Sequence, residues 1–75
     1  MKLNKVVEGE QFDAVTWYDR SNGWVAALQT KEGIQIDDAE YLGGCGRAYA
    51  AETGLRMYQE LVDLLAEVGP DDYRI

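Results

Sequence analysis

The stretch GRAYAAETGLRMYQELVDLLAEV, Gly46 to Val68, decides the fold. Within it Ala51, Leu55, Tyr58, Leu61, Val62, Leu65 and Val68 recur at spacings of three and four, the period of one apolar helix face. Glu52, Arg56, Gln59, Glu60, Asp63 and Glu67 fall on the opposite side. The spacing predicts a two-faced helix with an oily stripe toward a core and an acidic stripe outward. Gly69-Pro70 supplies the stop, because glycine takes the left-handed C-terminal position cheaply and proline cannot continue a helix. Gly54 leaves open a break into two segments, since glycine inside a helix costs about 1 kcal/mol relative to alanine.

Upstream, Phe12 to Tyr18 alternates as a strand, with Phe12, Ala14, Thr16 and Tyr18 on one side and Asp13, Val15 and Trp17 on the other. Neither side is wholly polar, so the pattern leaves the core face of this strand open. Asp19-Arg20-Ser21-Asn22-Gly23 is dense in turn formers, and Trp24 to Thr30 reads as the returning strand of an antiparallel hairpin. Across it Trp17, Tyr18 and Trp24 are candidates for cross-strand packing. Lys31-Glu32-Gly33 makes a second turn, and Ile34-Gln35-Ile36 reads as a third strand that Asp37-Asp38 stops. Asp38 to Leu42 is expected as a helical turn capped by Asp37 or Asp38, and Gly43 to Gly46 as a loop. Residues 2 to 8 are a candidate edge strand, interrupted at Glu8-Gly9-Glu10. The expectation is an α+β domain spanning residues 1 to 75. It has an antiparallel meander of three strands, four if residues 2 to 8 pair, with one long C-terminal helix packed on one face.

A chain of 75 residues buries only about 60% of the surface its unfolded form exposes, which leaves little core for a deep pocket. The net charge of −7 argues against a direct nucleic-acid or anionic-membrane binder, either of which needs a Lys/Arg face. The charge is also uneven: residues 1 to 36 balance to −1 and residues 37 to 75 to −6. A basic protein is the natural counterpart. A single cysteine, Cys45, excludes an internal disulfide and fits a reducing compartment. No stretch has the apolar length of a signal peptide or membrane span, so a cytoplasmic location is expected.

No histidine is present, which removes Ser-His-Asp and Cys-His arrangements and His-containing metal sites. Cys45 in Gly43-Gly44-Cys45-Gly46 has two readings. One is a thiol sensor or nucleophile near a helix start, the other a small residue in a tight loop with no partner base. No cofactor or metal is expected. The acidic row Glu52, Glu60, Asp63 and Glu67, continued by Asp71 and Asp72, has a bland reading as solvated surface. Its functional reading is a carboxylate row that imitates a phosphate backbone. With Trp17 and Trp24 as aromatic anchors, these residues form the candidate partner-binding set of a non-enzymatic inhibitor. A homodimer paired through the open sheet face is the alternative.

At Phe12-Asp-Ala-Val-Thr-Trp-Tyr-Asp19 followed by Ser21-Asn-Gly-Trp-Val-Ala-Ala27, the chain resembles the opening hairpin of HicB-like antitoxin domains. In those a strand ends in Asp, a Gly-aromatic-Val-Ala strand returns, and a third strand and a helix follow. After Leu28 the sequence departs from that pattern, and Gly43 to Gly46 stands where the family has Gly-Asp-Thr. The resemblance implies an inhibitor docked on a small RNA-cleaving toxin. In size, acidity and lack of catalytic groups the chain is also similar in type to phage anti-CRISPR proteins and other nucleic-acid-mimicking inhibitors.

Overall fold

A computed structural model describes residues 2–68, with backbone only for Glu67 and Val68. Four strands run in sequence order as an antiparallel sheet: β1 (Asn4–Glu8), β2 (Phe12–Asp19), β3 (Gly23–Thr30) and β4 (Gln35–Gly43). One helix, α1 (Arg47–Val68), packs over β1, β2 and β3. The α+β architecture expected from the pattern is present, in its four-stranded form.

The hairpin forms where the turn chemistry places it. Asp19 pairs with Gly23, and Gly23 has φ of +78°, a conformation costly for any residue with a Cβ. The Asp19 carboxylate holds the loop, accepting from the Ser21 N–H at 2.8 Å and the Asn22 side-chain amide at 3.1 Å. The Ser21 N–H, followed by the Asn22 amide, keeps the Asp19 carboxyl below its ordinary range. The second turn closes with the Gly33 N–H donating to Thr30 O at 2.9 Å.

Irregular pairing shapes both outer strands. In β1, Lys5 lies opposite Val15 and Val7 opposite Ala14, so Val6 is inserted, and both Val6 and Val7 pack on the core. In β4, Ile36 lies opposite Leu28 and Glu40 opposite Ala26, so residues 37 to 39 face Ala27 alone. Asp37 there has φ of +57°, the only positive φ outside glycine among the described residues. This overturns two expectations. Asp37-Asp38 does not stop the strand, and Asp38 to Leu42 is strand rather than a helical turn. Aspartate tolerates the left-handed conformation, so the chain absorbs the extra residues in a bulge and resumes pairing.

The helix face of the sheet carries Phe12, Ala14, Thr16, Ala26 and Leu28, settling the side left open by the pattern. Phe12 meets Tyr58 of α1 with ring centroids 4.8 Å apart. The helix runs unbroken through Gly54, which lies against Val6 and Thr16. Its buried side is Ala50, Thr53 and Gly54, continued by the partly buried Met57, Tyr58, Leu61 and Val62. The expected apolar stripe is corrected at two positions, since Leu55 and Leu65 are 52% and 48% exposed. Small residues replace Leu55 at the contact because they let the helix approach the sheet closely. The Thr53 hydroxyl, buried there, donates to Tyr49 O at 2.9 Å. Leu65, seven residues and about 10 Å along the axis past Tyr58, lines an open hollow with Phe12, Tyr58 and Val62 instead of entering the core. The expected helix stop at Gly69-Pro70 lies outside the described residues.

Candidate functional site

The charges separate onto two sides of the sheet. On the side away from α1, Lys31 Nζ donates to Asp13 Oδ1 at 2.7 Å and to Gly9 O at 2.9 Å. Lys5 Nζ stands 3.7 Å from Asp13 and 3.5 Å from Glu8. Two lysines and two carboxylates thus balance one another around a nearly buried Asp13 side chain. The Lys31 hydrogen bond is the main cause of an Asp13 pKa below its ordinary 3.8. The same bond raises Lys31 above 10.5. On this face Val15, Val25 and Ala27 are fully buried with no helix above them. Lys5 and Trp17 flank them in register, the former opposite Val15 and the latter opposite Val25. Long amphipathic side chains beside small apolar ones seal a sheet face this way.

The helix side has no such balance. Because α1 lies mainly over β1 to β3, β4 is covered only at its margin, where Ile36 packs on the core and Arg56 reaches Glu40, and an open cleft of about 260 Å³ runs between β4 and α1. Its apolar floor is Leu28, Ile36, Met57, Leu61 and Leu64, and its rim is Asp37, Asp38, Glu40 and Glu60. Four carboxylates meet one guanidinium: Arg56 lies 3.0 Å from Glu40 and 4.0 Å from Glu60. Asp37 and Asp38 form no ion pair among the described residues. The cleft is smaller than the 300 to 1,000 Å³ typical of small-molecule pockets and open to solvent. A second hollow, on the other flank of α1 at Glu10, Gln11, Phe12, Tyr58, Val62 and Leu65, carries a single acid.

The structure brings together part of the expected set. Glu52, Glu60 and Asp63 are exposed on the outer side of α1, with Asp63 accepting from the Gln59 amide at 3.1 Å. The Glu67 side chain, Asp71 and Asp72 lie outside what is described. Trp17 and Trp24 do not form one patch. They project from opposite sheet faces, Trp17 opposite Val25 and Trp24 beside Tyr18, with the Tyr18 and Trp24 rings edge-on at 5.7 Å. The residues missed from the sequence are Asp37, Asp38 and Glu40, which β4 carries to the helix flank. The signal for them is the alternation of Ala39, Glu40, Tyr41 and Leu42, which resumes after the aspartates.

Cys45 is half-buried after β4, its N–H donating to Leu42 O at 3.4 Å. Among the described residues no group of three or more Cys, Asp or Glu is placed to hold a metal ion, and no helix is long and apolar enough to cross a membrane. No protein-family model matches the chain, and no curated protein or solved structure matches it either. The likeness of residues 12–27 to HicB-like antitoxin domains stands on the quoted residues alone.

Proposed function

We propose that this protein is a small non-enzymatic inhibitor or binding module that docks on a basic protein, in the manner of an antitoxin or anti-CRISPR protein. Its acidic side occupies a Lys/Arg surface built for nucleic acid, so it blocks by steric and electrostatic occupation. The observation that carries the reading is the segregation of charge. Lys5 and Lys31 are tied up by Asp13 and Glu8 on the far face, while Asp37, Asp38, Glu52, Glu60 and Asp63 stand exposed on β4 and α1. A field of one sign on one side steers and orients a cationic partner, whereas the same charges scattered evenly would only confer solubility.

The test is capture of partners from cells of the source organism on the immobilised chain, with elution by rising salt. Exposed charge pairs are screened beyond about 8 Å at physiological ionic strength, so a partner held this way leaves as salt rises. It is also lost on the exposed-site reversal Glu60→Lys with Asp63→Lys, which touches no buried group. A partner retained regardless of salt and of both reversals would end the electrostatic reading.

A further inference from the structure

We infer that the cleft between β4 and α1 is the seat of a cationic amphipathic helix from the partner protein, an inference that rests on the binding reading above and specifies its contact. The outer strand axes of a four-stranded sheet are about 14 Å apart, whereas one helix with its side chains is about 10 to 12 Å across. With α1 set over β1 to β3, a second helix would pack beside it against β4 and the flank of α1, overhanging the sheet edge. The side chains there fit that role. Leu28 and Ile36 rise from the sheet, and Met57, Leu61 and Leu64 project from the flank of α1, Leu64 being 53% exposed.

The rim selects the occupant. Asp37, Asp38, Glu40 and Glu60 border the apolar floor on both sides, so an entering helix needs an apolar stripe toward the floor and Lys or Arg at its margins. A second copy of this chain is a poor occupant, because its own helix carries Glu52, Glu60 and Asp63 against Arg47 and Arg56. Asp37 adds a further argument. A residue other than glycine is held in the left-handed conformation at the one bulge that widens this rim, and such backbone positions persist where the structure needs the local geometry.

The probe is a synthetic peptide of about 18 residues, five helical turns, of Leu and Lys at helical spacing, with a second peptide of the same Lys count in which every Leu is Ser. Binding is followed by the methyl NMR signals of the intact chain. The Leu/Lys peptide is expected to shift Ile36, Met57, Leu61 and Leu64 saturably and to leave Val15 and Val25 unmoved. The Ser/Lys peptide is expected to bind at least about tenfold more weakly, as is the Leu/Lys peptide to the exposed-site variant Leu64→Asp, whose fold is checked by its unshifted Val15 and Val25 signals. If both peptides bind equally without moving the cleft methyls, the cleft assignment fails while the electrostatic reading stands. If neither binds, both fail. Shifts at Val62 and Leu65 instead would move the contact to the other flank, and cleft shifts that grow with chain concentration alone would give the site to a second copy. Either result overturns the inference.

Discussion

Replacing Gly54 by alanine is expected to stabilise the protein, although Gly54 is buried between helix and sheet. A Cβ built there would stand 3.5 Å from Val6 Cγ2 and 3.6 Å from Thr16 Cγ2, ordinary contact distances that force no movement. The helix interior gains about 1 kcal/mol from the lost backbone freedom of the unfolded chain. A buried methyl adds up to about 0.8 kcal/mol. The sum, about 1 to 2 kcal/mol, corresponds to a rise in Tm of about 4 to 16 °C for a domain of this size. Thermal unfolding followed by circular dichroism measures it, with Gly54→Leu as the counterpart that has no room for its extra atoms. A fall in Tm for Gly54→Ala would mean that helix and sheet sit closer than 3.5 Å contacts allow. The placement of α1 over β1 to β3, and with it the open cleft against β4, would then be wrong.

Gly23→Ala is expected to behave oppositely, losing about 2 kcal/mol or more, because it combines a positive φ with a Cβ driven into the Gly43 carbonyl; denaturant unfolding reads the loss. Acid should destabilise the protein. Asp13 and Asp19 have folded pKa values below 3.8, so the stability they contribute is present above that pH and disappears as pH falls through the folded values. Lys31, raised above 10.5, contributes stability that is complete below 10.5 and lost only as pH rises through its folded value. Thermal melts between pH 2 and about 6 should show a shallower acid limb in Asp13→Asn, and an unchanged limb would remove Asp13 from the account. Arg56→Gln removes the guanidinium that pairs with the rim carboxylates Glu40 and Glu60. It should tighten the Leu/Lys peptide about twofold, from about 0.5 kcal/mol for a unit charge 8 Å away in water, and cost under about 1 kcal/mol of stability.

The sequence shows some of these features and hides others for identifiable reasons. The turns at Asn22-Gly23 and Lys31-Glu32-Gly33 are readable because positive φ demands glycine, and Gly23 and Gly33 adopt +78° and +90°. The helix is readable from its period, but its rotation about its own axis is not. Hydrophobicity favours Leu55, whereas contact with Val6 and Thr16 selects the small Ala50, Thr53 and Gly54. Strand β4 is hidden because Asp37-Asp38 carries the composition of a stop. Only the left-handed Asp37 lets the chain make its detour and pair again at Glu40. Three of the four rim carboxylates, Asp37, Asp38 and Glu40, are hidden along with that strand.

The same detour links fold to function. Had β4 paired without a bulge, one residue would face Ala27 where three now do. The spare residues carry two carboxylates that make no ion pair among those described, at the rim of the open cleft. An acidic, bulged edge strand also resists the edge-to-edge sheet pairing that an open β4 would invite. Negative charge on β4 therefore serves two ends with one set of atoms. It turns away another sheet of the same kind, and it leaves the adjoining apolar strip accessible to a helix that brings its own positive charge.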